Sequence, residues 1–159
     1  MNTSIEFHVY ELLKKYNLTL TTAESATGGM IASMLVNVPG ISEYFCEGYV
    51  TYSNDAKVKM IGVNRNLIDT YGVVSKEVAK DMAVSAARTA GTDAALSVTG
   101  IAGPTGGTEE KPVGLVYIGV SDKNGCEVYR FVQHGDRERV RNKSALCALD
   151  IILKRIKKH

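Results

Sequence analysis

The chain has 159 residues, 45% of them hydrophobic and 23% charged, which is typical of one globular domain with a sizeable core. Its net charge of +2 gives no reason to expect nucleic acid or an anionic membrane as a partner. Three cysteines without CxxC spacing indicate small packing residues in a reducing compartment, not a zinc site. No stretch has the pattern of a signal peptide or a membrane span, so we expect a cytoplasmic protein.

The first half of the chain predicts alternating helices and strands. Apolar residues at helical spacing predict a helix over residues 4–15, and a strand is predicted over residues 18–22. A second helix is predicted over residues 27–37, where Pro39 follows it closely. Residues 49–52 are β-branched or aromatic and predict a second strand.

Two further helices are predicted by their caps. A short helix begins with Asn54 or Asp55 as its N-cap and ends at Gly62. Ser75 is the predicted N-cap of a longer amphipathic helix that ends at Gly91.

The second half predicts a buried strand, a hairpin and a last helix. The buried strand covers residues 94–98, and strands over residues 115–120 and 128–132 flank an Asn-Gly hairpin signal at residues 122–125. The last helix runs from about residue 136 to the end. Strands alternating with helices predict an α/β fold whose sheet is covered on both faces, and the hairpin makes that sheet mixed.

A first glycine-rich segment, residues 22–29 (TAESATGG), lies between a predicted strand and a predicted helix. Ser25 would expose its hydroxyl there, beside a helix N-terminus that can hold an oxyanion or a phosphate. Thr27, Gly28 and Gly29 are the accompanying candidates for substrate binding. Alternatively, Ser25 or Thr27 only caps the helix, since the segment is neither a Walker A loop nor a GxSxG motif.

A serine nucleophile needs a base, and Lys57 is the candidate. A lysine can serve when its pKa is lowered, and the short helix that carries Lys57 should open on the same edge as Ser25. Tyr52, Ser53 and Asn54 could orient Lys57 or a substrate, or simply end a strand and cap a helix. A solvated surface lysine is the alternative for Lys57. The histidines are poorly placed for a Ser-His-Asp triad: His8, His134 and His159.

A second glycine-rich segment, residues 99–107 (TGIAGPTGG), follows the predicted buried strand. Thr99 ends that strand. Gly100, Gly103 and Gly106 give the backbone conformational freedom, so consecutive N–H groups could form an anion-binding nest. A long flexible turn is the alternative. Ligands of α/β sheets bind beyond the carboxyl ends of strands, and both glycine-rich segments are predicted to lie there.

Two arginines, Arg137 and Arg141, lie four residues apart at the start of the last helix, in line with its apolar stripe. Arginine suits bidentate contact with phosphate or carboxylate, so both are candidates for substrate binding. Ion pairs with Asp136 or Glu138, or a contact between subunits, are the alternatives.

Six segments in order along the chain resemble the CinA C-terminal domain family, over roughly residues 5–155. They read AESATGG, GYVTYSNDAKVKMIGV, YGVVSKEVAKDMA, SVTGIAGPTGG, KPVGLVYIGV and GDRERVR. The resemblance implies a three-layer α/β/α domain with a mixed, mostly parallel sheet of about five strands. It implies a single amidase domain over residues 1–159, whereas many relatives carry an additional N-terminal domain.

The resemblance also implies an activity, namely hydrolysis of the carboxamide of nicotinamide mononucleotide to nicotinic acid mononucleotide and ammonia. This reaction salvages pyridine nucleotides and needs neither a metal nor another cofactor. Ser25 matches the serine of the family's AESxTGG motif and becomes the nucleophile, and Lys57 matches the lysine of YSNxxK and becomes the general base. Tyr52 and Thr99 become pocket residues. Ala26 stands where the family usually has cysteine, which can alter the shape of the pocket.

In the expected mechanism, backbone N–H groups of residues 27–29 hold the oxyanion. The second glycine-rich segment, with Arg137 or Arg141, holds the 5′-phosphate of the substrate. A homodimer is expected, in which a second subunit can contribute an arginine. Two other functions stay open: a nucleotide-binding module without turnover, and an interaction protein of DNA uptake or recombination. The modest charge argues against direct contact with DNA.

Overall fold

The computed structural model describes residues 2–159, which form six α-helices and five β-strands together with a short 3₁₀ turn at Ile41–Glu43. In chain order the elements are α1 (Ile5–Tyr16), β1 (Leu20–Glu24), α2 (Met30–Val36), β2 (Gly48–Val50), α3 (Asn54–Ile61), α4 (Arg65–Tyr71), α5 (Lys76–Ala90), β3 (Ala94–Gly100), β4 (Leu115–Asp122), β5 (Gly125–Val132) and α6 (Arg137–Ile156).

The five strands form one mixed sheet in the order β2-β1-β3-β4-β5. β1 pairs in parallel with β2 and with β3, whereas β4 pairs antiparallel with both β3 and β5. Four strands therefore run in one direction and only β4 runs against them, among the residues described. The predicted α/β class with a mixed, mostly parallel sheet is confirmed.

Helices cover both faces of the sheet. α1, α2 and α6 pack against one another on one face, where their apolar side chains share a core with Leu96 and Val98 of β3. α5 covers the other face and packs on Ala23 and Ala95, with α3 and α4 beside it. Side chains of successive strand residues point to opposite faces, so each central strand supplies both cores. This arrangement confirms the three-layer prediction.

The helix that Ser75 caps matches its prediction closely. The Ser75 hydroxyl accepts a hydrogen bond from the Val78 N–H at 3.2 Å, and Gly91 ends α5 with a left-handed φ of 68°. The predicted hairpin is also present, since Asp122 pairs with Gly125 across the turn between β4 and β5. The helix caps and the Asn-Gly turn signal thus predicted the positions of α5 and of the β4–β5 hairpin correctly.

Elsewhere the boundaries differ from prediction. α2 begins at Met30 rather than at residue 27, because Gly28 and Gly29 adopt positive φ angles of 58° and 98° that a helix does not allow. β1 continues to Glu24, two residues beyond its predicted end. The N-cap of α3 is Ser53, whose hydroxyl accepts from the Ala56 N–H at 3.0 Å, and not Asn54 or Asp55.

α4 was not predicted from the sequence. It has only seven residues, and one of them, Ile68, is buried, so it lacks a recognisable apolar period. Its N-cap is Asn64, whose side chain accepts from the Asn66 N–H at 2.9 Å.

The parallel part of the sheet brings three chain segments to one edge. Ser25 follows β1, residues 51–53 follow β2, and Gly100 ends β3. Because these three strands run side by side in the same direction, their carboxyl ends meet, as the sequence predicted for both glycine-rich segments. No helix within residues 2–159 is long and apolar enough to cross a membrane.

Candidate active site

Ser25 and Lys57 meet at the carboxyl edge of the sheet. The Lys57 Nζ lies 3.0 Å from the Ser25 Oγ and 2.7 Å from the carbonyl oxygen of Thr51. Ser25 is anchored by its own backbone, whose N–H donates to the Val98 carbonyl on β3 at 2.9 Å. The side chain of Lys57 is completely buried, and Ser25 is only 8% exposed. The two residues that the sequence proposed as nucleophile and base are therefore within hydrogen-bond distance.

The local fold explains how Lys57 reaches this position. The Thr51 N–H donates to the Glu24 carbonyl at 2.9 Å, which continues the pairing of β2 with β1 by one residue. The chain then turns into α3 at its Ser53 cap, and Lys57 lies one turn into that helix. Its side chain consequently points back toward the strand ends and toward Ser25.

Burial lowers the pKa of Lys57 from 10.5 to about 8. Within residues 2–159 no carboxylate forms an ion pair with its ammonium group, which would have favoured the charged form. A neutral Lys57 amine can donate one hydrogen to Thr51 and accept the hydroxyl proton of Ser25 on its lone pair. The geometry and the lowered pKa thus suit a general base.

A cavity of about 330 Å³ opens beside these two residues. Most residues that the sequence proposed for substrate binding contribute to its wall: Tyr52, Thr99, Gly100, Gly103, Gly106 and Arg137. The cavity also has apolar lining residues, of which the sequence had connected only Ala26 with the pocket; Val73, Val74, Ile101 and Ala102 were not proposed. A cavity lined by both polar and apolar groups is typical of a small-molecule site.

Arg137 connects two sides of this cavity. Its Nη1 donates to the Gly103 carbonyl at 2.8 Å, and its Nη2 donates to the Tyr52 hydroxyl at 3.1 Å. Tyr52 is otherwise exposed over 63% of its surface, so its ring lies at the opening of the cavity. Thr99 is fixed differently, because its hydroxyl donates to the Val73 carbonyl at 2.9 Å.

Four of the proposed substrate-binding residues lie outside the cavity wall. Thr27 is fully buried and donates its hydroxyl to Glu24, while Gly28 and Gly29 shape the turn through their positive φ angles. Arg141 lies behind the turn, where its Nε donates to the Ala26 carbonyl at 3.0 Å and its Nη2 to the Thr27 carbonyl at 3.2 Å. These contacts hold the turn, and the cavity is lined by other residues.

The available backbone donors agree in part with the prediction that N–H groups of residues 27–29 hold the oxyanion. The Gly28 N–H is already used by the Ser25 carbonyl at 3.0 Å. The N–H groups of Ala26, Thr27 and Gly29 have no acceptor within residues 2–159. Of these three residues Ala26 lines the cavity, so it carries the best-placed oxyanion donor. In the second segment the N–H groups of Ala102, Gly103, Thr105 and Gly106 likewise have no acceptor within the described chain.

Glu24 is the residue that sequence reasoning missed. It is only 1% exposed, and its carboxylate accepts hydrogen bonds from the Thr27 hydroxyl at 2.7 Å and from the N–H groups of Ile31 at 2.9 Å and Ala32 at 3.0 Å. A charged residue in a strand that is otherwise buried was the available signal.

Among residues 2–159 there is no group of three or more His, Cys, Asp or Glu side chains that could hold a metal ion.

Comparison with known proteins assigns the family. The profile of the CinA C-terminal domain matches residues 2–156. A CinA-like protein of Kosmotoga olearia is 52% identical over 149 residues, which are 94% of this chain and 36% of that protein. A CinA-like protein of Citrifermentans bemidjiense is 57% identical over 139 residues, 87% of this chain and 34% of that protein. The chain thus spans about a third of the length of these curated relatives.

Solved structures agree with this assignment. A CinA superfamily protein from Klebsiella pneumoniae superposes with a TM-score of 0.93 at 28% identity, covering 98% of this chain and 97% of that one. The competence/damage inducible protein CihA from Agrobacterium tumefaciens superposes with a TM-score of 0.85 at 37% identity, covering 94% of both chains. The resemblance read from six sequence segments is confirmed: the chain belongs to the CinA C-terminal domain family.

Proposed function

We propose that this protein hydrolyses the carboxamide of nicotinamide mononucleotide, producing nicotinic acid mononucleotide and ammonia. One observation carries the proposal: a buried lysine, with no carboxylate partner among residues 2–159, lies 3.0 Å from a serine hydroxyl at the edge of a ligand-sized cavity. Binding a nucleotide without turnover requires no lysine of lowered pKa, so this pair favours an enzyme over a binding module.

In the proposed acylation step, neutral Lys57 takes the hydroxyl proton of Ser25 as Oγ attacks the carboxamide carbon. The carbonyl oxygen becomes an oxyanion that accepts from the Ala26 N–H. When the tetrahedral intermediate collapses, the carbon–nitrogen bond breaks, and Lys57 returns its proton to the departing amine, which leaves as ammonia. The product is an ester between Ser25 and the pyridine carboxylate.

Deacylation repeats these steps with water. Lys57, neutral again, takes a proton from a water molecule, whose oxygen attacks the ester carbon. The ester bond breaks, Lys57 returns the proton to the Ser25 oxygen, and nicotinic acid mononucleotide is released. One amide is hydrolysed by one water, and the enzyme returns to its starting state without a metal or another cofactor.

The second glycine-rich segment and Arg137 are the proposed phosphate site. The open N–H groups of Gly103, Thr105 and Gly106 can donate to phosphate oxygens, and the Arg137 guanidinium adds positive charge beside them. The apolar wall around Val73 and Ile101 suits a pyridine ring. The homodimer expected from the sequence stays a prediction.

The test is ammonia release from nicotinamide mononucleotide in the presence of a chelator. We expect steady release by the wild-type protein, loss of release in Ser25→Ala, and wild-type release in Ser33→Ala, because Ser33 is exposed on α2. The riboside and the dinucleotide, tested in parallel, measure how much the phosphate contributes to recognition. A folded wild-type protein that releases no ammonia from the mononucleotide contradicts the proposal.

A further inference from the structure

The turn that carries Ser25 and Ala26 is held from one side by Glu24. One carboxylate oxygen accepts from both the Thr27 hydroxyl and the Ile31 N–H, and the other accepts from the Ala32 N–H. Both oxygens of a nearly inaccessible carboxylate are thus occupied, and the turn is connected to the first residues of α2. Hydrogen bonds to a charged acceptor are stronger than those between neutral groups.

Arg141 holds the same turn from α6. Its Nε and Nη2 donate to two successive carbonyls, those of Ala26 and Thr27. Thr27 is therefore held twice, by Glu24 through its side chain and by Arg141 through its backbone. The planar guanidinium donates in fixed directions, so these two bonds orient the Ala26–Thr27 and Thr27–Gly28 peptide groups of the turn.

We propose that Glu24 and Arg141 are positioning residues, which fix the Ala26 N–H relative to the Ser25 Oγ so that this N–H can bind the oxyanion. The inference deepens the proposed function and rests on it. The Ala26 N–H belongs to the Ser25–Ala26 peptide group, whose carbonyl accepts from the Gly28 N–H at 3.0 Å, so holding the residues after Ala26 also restrains this group. Gly28 and Gly29 have positive φ angles and would otherwise leave the turn flexible. A displacement of about 1 Å at such a donor can lower a rate by about 100-fold.

This role predicts a particular kinetic signature. Neither Glu24 nor Arg141 lines the cavity, so weakening either contact should leave substrate affinity unchanged. The oxyanion exists only during reaction, and a displaced donor therefore lowers kcat and leaves KM as it was. A purely structural role would lower thermal stability without this selective loss of kcat.

Two matched pairs of variants test the role. Thr27→Val keeps the shape of the side chain but removes the hydroxyl bound by Glu24, whereas Thr27→Ser retains it. Arg141→Ala removes both backbone contacts, whereas Arg139→Ala removes an arginine that is exposed two residues earlier. We expect kcat to fall at least about tenfold in Thr27→Val and Arg141→Ala, with KM within about twofold of the wild-type value, and no such change in the controls.

A second readout is independent of the natural substrate. A small dialkyl fluorophosphate reacts with an activated serine by forming an Oγ–phosphorus bond and expelling fluoride, while the hydroxyl proton passes to Lys57. Its phosphoryl oxygen then occupies the position of the oxyanion. We expect labelling of Ser25, followed by peptide mass spectrometry, to be at least about tenfold slower in Thr27→Val and Arg141→Ala. Arg141→Lys, which cannot donate to both carbonyls in one plane, replaces Arg141→Ala if that variant does not fold.

The outcomes separate this inference from the proposed function. If the wild-type protein is labelled at Ser25 but releases no ammonia, the substrate is wrong and the labelling rates still decide the role of Glu24 and Arg141. If the variants keep wild-type kcat and labelling rates, the positioning role is wrong while the amidase stands. A raised KM with unchanged kcat in Arg141→Ala would also overturn it, because that result means contact with substrate. Failure of both labelling and turnover in the wild-type protein contradicts both proposals.

Discussion

Residues 22–29 and residues 99–107 have similar compositions, but the fold uses their backbones in different ways. In the first segment most polar groups are engaged inside the protein, by Glu24, by Arg141 and by the turn itself. The Ala26 N–H has no acceptor within residues 2–159, and Ala26 lines the cavity. In the second segment the N–H groups of two residue pairs, Ala102–Gly103 and Thr105–Gly106, have no acceptor within residues 2–159, and all four residues line the cavity. A glycine-rich segment can thus hold a reactive group rigidly or present its backbone to a ligand.

Contacts from outside each segment produce this difference. The first lies between a buried strand and the start of α2, where a buried carboxylate and an arginine reach it. The second is held mainly near its start and middle, through the Thr99 hydroxyl and the Gly103 carbonyl. We therefore expect changes in the first segment to affect the reaction rate, and changes in the second to affect substrate affinity.

The largest expected effect follows from removing either reacting group. Ser25→Ala and Lys57→Met should each lower kcat at least about 10⁴-fold, because nucleophile and base act as a unit. Lys59→Met is the matched control, since Lys59 is exposed two residues further along α3. Ammonia release measures the effect, and the assignment fails if either variant keeps a rate within tenfold of the wild-type value.

Arg137→Ala should act on the second segment. It removes a charged donor from the cavity wall and frees both Tyr52 and the Gly103 carbonyl. We expect KM for the mononucleotide to rise about 10- to 100-fold with kcat nearly unchanged, and a much smaller effect on the riboside, which has no phosphate. Equal effects on the two substrates would show that Arg137 does not recognise phosphate.

A smaller effect is expected when one glycine of each segment is replaced by alanine. Gly29 and Gly106 have φ angles of 98° and 91°, and a Cβ at either position would meet a side-chain carbon at 3.4 or 3.7 Å. Alanine at each should cost about 1–2 kcal/mol of unfolding free energy through backbone strain. Steady-state kinetics should then separate them, with a several-fold lower kcat for Gly29→Ala and a several-fold higher KM for Gly106→Ala. Identical kinetic changes would remove the distinction between the segments.

The smallest expected effect is on stability. The pKa of Lys57 is about 8 in the folded protein and near 10.5 when the chain is unfolded, so below pH 8 the folded state contains an unfavourable buried charge. Between pH 8 and 10.5 the unfolded state binds more protons, and wild-type stability should rise with pH. Lys57→Met should therefore be more stable by about 1 kcal/mol at pH 7, and this advantage should shrink toward pH 10. Urea unfolding of both proteins at pH 7 and pH 10 measures this difference in unfolding free energy. A difference that grows with pH would contradict this explanation.

The sequence predicted those parts of the molecule that depend on local signals. Ser75 and Gly91 bound α5 because a cap and a left-handed glycine act within a few residues. Ser25 and Lys57 were proposed correctly as neighbours, since each follows a parallel strand and such strands share an edge. α4 escaped prediction because its single buried residue gives no period.

The positions of other site residues depend on contacts between segments that are far apart in the sequence, which the sequence did not predict. Thr27 was proposed to bind substrate, but a bond to buried Glu24 turns its side chain inward. Arg141 was proposed for the phosphate, but α6 passes behind the first segment and places its guanidinium on two carbonyls. Spacing along one helix gives no information about which neighbouring loop it contacts, so only Arg137 of the two arginines reached the cavity.

The pH dependence of kcat/KM for ammonia release from nicotinamide mononucleotide tests the central claim most directly. Because Lys57 acts as a base only when neutral, the rate should rise tenfold per pH unit below its pKa and level off above about pH 8. Lys59→Met should give the same profile. A profile that stays flat from pH 6 to 9, or falls with rising pH in that range, would contradict general-base catalysis by Lys57.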